Sequence, residues 1–279
     1  MDKLIINFTP TGMIPTKQMT PHVPVTPEEI AKEVLECAEL GASMVHLHAR
    51  DENGVPTYKK EVYRKIIKKI REKNKDIIIC VSTSGRNVPD FEKRSEVLDL
   101  EEPYKPDMGS LTLSSLNFNK TASVNSPDTI KSLAKKMLDN GIKPELEVFD
   151  IGMINYANYL IKKELLKPPY YFNLLLGNIA CAQADLLNLG IMLKELPKGS
   201  IWAVAGIGNN QLPMNSLSVV WNGNVRVGLE DNIWFDSKRT KLATNYELVK
   251  RIVDIAKALG REIATPTEVR KALGLKMIK

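Results

Sequence analysis

Short apolar, β-branched runs alternate with amphipathic stretches along the whole chain. The runs cover residues 4–8, 44–48, 77–82, 108–114, 143–149, 170–177, 200–205 and 224–229. Residues 77–82 are apolar almost throughout, as expected of a strand covered on both faces. Between the runs, apolar residues recur at helical spacing. After Thr26-Pro27-Glu28-Glu29, where Thr26 can cap and Glu29 can complete a capping box, Ile30, Val34, Leu35 and Ala38 share one face. Further helices are predicted over 59–73, 91–98, 127–138, 151–163, 182–195, a segment reaching 219–221, 246–260 and 267–273. Eight strands alternating with helices in 279 residues predict a (β/α)₈ barrel. The expected organisation is one domain over 1–279 with a short C-terminal helical extension. An open doubly wound sheet would carry a GxGxxG in its first turn, and Thr9-Pro10-Thr11-Gly12 is not one.

A barrel places its chemistry at the carboxyl ends of its strands. At the end of the second run stands Val45-His46-Leu47-His48-Ala49-Arg50. Residues i and i+2 of a strand share a face, so both imidazoles point the same way. Two histidines on one face can hold a divalent metal, and the third ligand must come from elsewhere. The only other histidine is His22, between prolines in the first loop, which reads as loop packing. The third ligand is therefore a carboxylate, with Glu145, Glu147, Glu230 and Asp231 as candidates. Zinc is favoured over manganese or iron by the ligand types. Arg226 stands close to Glu230 and Asp231 and is expected to keep Asp231 ionised as a proton acceptor. Ser82, Thr83, Gly85 and Ser110 complete the polar positions at strand ends. The absence of any histidine after residue 48 argues against an amidohydrolase-type barrel.

Composition narrows the partners. The formal net charge is +6, with lysines dispersed over predicted helices. This is compatible with a solvated surface or an anionic small-molecule partner, and lacks the aromatic-interleaved basic stripe of a nucleic-acid binder. No apolar run is long enough for a membrane span. Cys37, Cys80 and Cys181 are widely spaced, form no CxxC, and read as reduced thiols in a cytoplasmic protein.

Taken together, several segments resemble the β-keto acid cleavage enzyme family. They are the Thr11-Gly12 turn with Pro24-Val25-Thr26-Pro27-Glu28-Glu29, the His46–His48 stretch, Ser82-Thr83-Ser84-Gly85, Pro144-Glu145-Leu146-Glu147-Val148, Trp202-Ala203-Val204-Ala205-Gly206-Ile207-Gly208, Arg226-Val227-Gly228-Leu229-Glu230-Asp231-Asn232 and Gly260-Arg261-Glu262-Ile263-Ala264-Thr265-Pro266. The resemblance implies a zinc-dependent barrel that condenses a β-keto acid with acetyl-CoA to give acetoacetate and a new acyl-CoA. It places the metal on His46, His48 and Glu230, and the base on Asp231 supported by Arg226. Ser82 and Glu145 match other active-site positions. Thr11, Gly12, Met13 and Ile14, with Thr83, Gly85 and Ser110, fall around the substrate. It also implies a homo-oligomer, commonly a tetramer. Members that take an amine-bearing substrate have an acid two residues after the first-loop glycine. Here Met13 and Ile14 follow Gly12, so a keto acid without a cationic tail is expected. A metal-dependent C–C lyase or aldolase that does not use CoA, and a non-catalytic metal-binding barrel, are the alternative readings.

Overall fold

Each apolar run becomes a parallel strand of one closed barrel. In the computed structural model, which describes residues 2–278, the strands are β1 (Ile6–Phe8), β2 (Met44–Leu47), β3 (Ile78–Val81), β4 (Met108–Thr112), β5 (Lys143–Val148), β6 (Tyr171–Leu176), β7 (Ile201–Gly206) and β8 (Asn224–Val227). Consecutive strands are neighbours, and β8 returns to pair with β1. The helices between and after them are α1 (Pro27–Glu39), α2 (Lys60–Arg71), α3 (Phe91–Ser95), α4 (Pro127–Asp139), α5 (Ile151–Lys162), α6 (Leu186–Glu195), α7 (Gln211–Val220), α8 (Asn245–Ala258) and α9 (Pro266–Leu273). The Thr26–Glu29 capping box is formed, and Ile30, Val34 and Cys37 of α1 are buried.

Boundaries moved where a local partner outcompeted the apolar pattern. Leu4 leaves the first strand to bridge Ile263, and α6 starts only after Asp185, whose carboxylate accepts from the Asn188 amide. The helix expected over 91–98 tightens into a 3₁₀ turn from Glu96 to Asp99. Two short antiparallel ribbons were not predicted. Ala49–Arg50 pairs with Pro56–Thr57, and Leu116–Asn117 with Ala122–Ser123. No helix among the described residues is long and apolar enough to cross a membrane. Cys37, Cys80 and Cys181 are all free thiols, with Cys181 only half-buried.

Alternation along the strands sorts the side chains into two surroundings. Val45, Leu47, Ile79, Val81, Leu146 and Val148 belong to the large core shared with the helices. The opposite face points into the barrel, and its composition changes with height. Met44, Ile78, Cys80, Met108, Tyr171 and Ala203 form a second apolar cluster with Ala264, Val269 and Leu273, so α9 plugs the amino-terminal end. Above that plug the inward positions turn polar. Register sets Ser110 opposite Glu145, Thr112 opposite Glu147, Asn173 opposite Glu147, and Asn7 opposite Arg226.

Asn245, at the start of α8, ties the site's loops to the frame. Its side chain accepts from the Leu229 amide and donates to the Pro10 carbonyl and to Glu33 of α1. Burial pushes the Glu33 carboxyl up to about 7, against the Asn245 hydrogen bond. The folded state therefore holds a proton that the unfolded chain has already released. That advantage is complete below about pH 4.5 and is lost as the pH rises through about 7. Glu33→Gln, which mimics the protonated acid, is expected to be more stable than the parent by about 1–2 kcal/mol at pH 8. The difference should close toward pH 4.5. Thermal melts across this range check it, and a gain independent of pH would overturn it.

Candidate metal centre and active site

His46 lies on β2, and His48 follows the strand by one residue. As the spacing predicts, both rings point the same way, with centroids 5.0 Å apart. Their Nε2 atoms face each other at 3.2 Å. Glu230, in the loop after β8, brings Oε1 to 3.2 Å from His48 Nε2. Two groups of possible ligand atoms converge among the described residues, His46 with His48 and Glu230, and His46 with Cys80 and Glu145; only the first uses both histidines. The three members of that first group are largely buried, at 1%, 8% and 13% side-chain exposure.

Glu145 and Glu147 both face the barrel interior, in different roles. Glu145 sits beneath His46 and accepts from its Nδ1 at 2.5 Å. The same carboxylate accepts from Asn7 Nδ2 at 2.6 Å and from Cys80 Sγ at 3.3 Å. Holding the proton on Nδ1 leaves the Nε2 lone pair free for a metal, the usual duty of a carboxylate behind a ligating histidine. Glu147 accepts from Thr112 at 2.7 Å and from Arg226 at 3.2 Å.

Arg226, on β8 and 2% exposed, is the hub. Its Nε donates to Asp231 at 3.1 Å, one terminal nitrogen to Glu147, and the other to Glu230 Oε1 at 2.7 Å. Burial opposes the charge of each member, and the partners decide the outcome. Arg226 is raised far above its ordinary value by the surrounding carboxylates. Glu230 is held well below the usual range, because Arg226 and both histidines outweigh its burial. Glu145 is pulled down to about 2 by His46 against burial. His46, despite burial, is pushed up to about 9 by Glu145 and Glu230, whereas burial lowers His48. Asp231 departs from expectation: burial outweighs the Arg226 pull and pushes it up to about 6.

The donor set fits a divalent cation. Glu230 Oε2 is buried with no hydrogen-bond partner among the described residues. Four inward carboxylates share one guanidinium and two imidazoles, an excess of buried negative charge that is costly without a further cation. His₂Glu is an established catalytic zinc set.

The remaining expected residues divide into framework and lining. The Thr11 hydroxyl is spent on the Pro24 carbonyl. Gly12, at φ +65°, lies against Glu230, and a Cβ there would stand 2.5 Å from Glu230 Cγ. The glycine thus lets the first loop press on Glu230. Thr83 and Ser110 bond each other across β3 and β4, with Thr83 Oγ1 donating to the Ser110 carbonyl at 2.6 Å. Gly85 packs against Arg94, which donates to the Thr83 carbonyl. Met13, Ser82, Thr83 and His48 line one small cavity of about 30 Å³, while Ile14 is 53% exposed. Ser82 Oγ accepts from the Ser84 amide. Sequence reasoning missed Asn7, Cys80 and Thr112 as supports of the carboxylates. Their inward parity on β1, β3 and β4 was the available signal. It also left Arg50 unassigned, which holds the first loop through the Gly12 and Pro15 carbonyls at 2.7 and 2.9 Å.

The profile of the β-keto acid cleavage enzyme family matches residues 3–275 of this sequence. The chain belongs to that family. It is 44% identical over 278 residues to the 3-keto-5-aminohexanoate cleavage enzyme of Fusobacterium nucleatum, covering 99% of each chain. It is 34% identical to the 3-oxoadipate:acetyl-CoA acetyltransferase of Cupriavidus necator, over 97% of this chain and 94% of that one. The apo structure of ObcA superposes with a TM-score of 0.81 at 21% identity, over 92% of this chain and 66% of that one, which bears on the fold alone. The (β/α)₈ expectation holds, and the protein is an enzyme of the β-keto acid cleavage class.

Proposed function

We propose that this β-keto acid cleavage enzyme condenses a β-keto acid with acetyl-CoA, giving acetoacetate and a new acyl-CoA. We further propose that it does so at a zinc site formed by His46, His48 and Glu230. The observation that carries this reading is the convergence of those three ligand atoms beside Asp231, with Glu230 Oε2 unpaired. A bound zinc would supply positive charge to attract the keto acid's oxygens and acidify the carbon between its two carbonyl groups.

The chain's own residues carry the rest. Asp231, which lies beside the three ligand candidates and is held by Arg226, accepts the proton from that carbon, and the resulting carbanion attacks the acetyl thioester. Arg226 orients Asp231 through Nε and Glu230 through Nη2. Glu145 sets the His46 tautomer. Ser82, with backbone amides near Gly85 or Gly206, faces the oxygens that gain charge during the exchange. The thiolate released from acetyl-CoA ends on the new acyl group, the bond between that acyl group and the acetoacetate carbon breaks with its electron pair left on that carbon, and Asp231 returns its proton there to complete acetoacetate. Ile14, two residues after Gly12, and its neighbour Met13, which lines the cavity beside His48, offer no counter-charge to a protonated amine, which favours a tail without one.

Chelator-treated protein, shown metal-free by elemental analysis, is expected to lose at least about 100-fold of acetoacetate formation. One equivalent of zinc should restore it, with no product in the absence of acetyl-CoA. Activity of metal-free protein would remove the metal from the reaction. Keto acid cleavage without acetyl-CoA would favour the lyase reading instead.

A further inference from the structure

Nine of the ten arginines donate a side-chain hydrogen bond to a carbonyl, amide or carboxylate, or pair with an acid. Arg86 is the exception among the described residues. It lies in the loop after β3, two residues from the Ser84 that accompanies Ser82, and is half-buried. Its guanidinium stacks on the Phe118 ring at 3.3 Å from the centroid. Phe118 is itself braced edge-on by Phe149 at 5.9 Å. Stacking fixes the plane of the guanidinium and leaves its rim of N–H donors unused. Burial pulls Arg86 down, while Glu230, Glu147 and Asp231 pull it back up, so it lies within the field of the site's carboxylates. The same loop supplies Ser82, Ser84, Asn87 and Val88 to the cavity beside His48, which Met13 of the first loop also lines.

A partly desolvated, pre-oriented fork of donors without an acceptor is suited to a carboxylate. We propose that Arg86 is a specificity-determining residue that binds an anionic group at the far end of the keto acid. The preferred substrate class is then a β-keto dicarboxylate. This rests on the β-keto acid reading and sharpens it: Met13 and Ile14 withhold a partner from a cationic tail, and Arg86 offers one to an anionic tail. A phosphate of CoA shares the same chemistry and is the competing source of the anion.

The test compares 3-oxoadipate with 3-oxohexanoate, whose six-carbon chain lacks the second carboxylate, in zinc-loaded parent and Arg86→Met proteins. Two readouts are taken: kcat/KM with acetyl-CoA, and the Kd of each acid by calorimetry without acetyl-CoA. The parent is expected to prefer 3-oxoadipate. The preference should fall by about 10- to 150-fold in Arg86→Met in both readouts, the value of one charge-assisted hydrogen bond. Arg86→Lys should recover part of it. Equal losses for the two acids, or an unchanged preference, would overturn the proposal. So would a loss confined to the KM for acetyl-CoA, which would assign Arg86 to a CoA phosphate. If neither acid turns over but the Kd preference depends on Arg86, the reaction falls and the anion site stands. If 3-oxohexanoate turns over and Arg86→Met changes no preference, the reaction stands and this inference falls.

Discussion

Asp231→Asn is expected to lower kcat/KM by about 10²- to 10⁴-fold, the usual worth of a positioned general base, and to leave the protein's metal content unchanged. The two halves of this expectation come from different contacts. Asp231 touches the guanidinium of Arg226 through Oδ2, and no described residue donates to its other carboxylate oxygen. It is not among the converging ligand atoms. Asn keeps an oxygen for Arg226 Nε and nearly the same volume, so the hub and Glu230 stay in place. What is lost is the ability to accept a proton. Steady-state rates with metal content measured on the same samples check the claim. Retained activity would place the base elsewhere, and loss of zinc together with activity would make Asp231 part of the metal's support.

Arg226→Met has the largest expected effect on stability. Glu147, Glu230 and Asp231 all depend on this guanidinium, and each is largely buried. Removing one member of such a cluster leaves uncompensated buried charge, which costs about 3–5 kcal/mol. For a chain of this length that corresponds to a melting temperature lower by roughly 10 °C. The loss should shrink as the pH falls, because without their cation the carboxylates can be protonated and cease to be charged. Zinc affinity falls as well, since Glu230 loses the hydrogen bond that aims it. Denaturant unfolding of metal-free parent and variant at pH 7.5 and 5.5 reads both effects. A variant as stable as the parent at pH 7.5 would show that the carboxylates do not rely on Arg226.

Local information carried most of the architecture. The Thr26–Glu29 capping box and the apolar run around Ile78–Val81 act within a few residues, so they can be read one segment at a time. The shared face of His46 and His48 follows from strand geometry alone. Boundaries shifted where a distant partner intervened, as when Ile263 captured Leu4. The short ribbons are not legible in the sequence, because two-residue pairings leave almost no periodicity to read.

By itself the sequence determined that this is an alternating β/α chain with two histidines at the end of its second strand, and that any third ligand beside them would have to be a carboxylate. It also carried the family likeness, in segments scattered from the first loop to the last helix. The family likeness pointed to Glu230, but only the tertiary structure shows it beside His48, because the loop after β8 is brought there by the closure of β8 onto β1, which in turn pairs with β2. Only it turned Glu145 from a candidate acid at the mouth into the support beneath His46. The pull of Arg226 on Asp231 was legible from their spacing. That burial outweighs it was not, since desolvation depends on everything packed around a group, and most of that comes from strands far away in the chain.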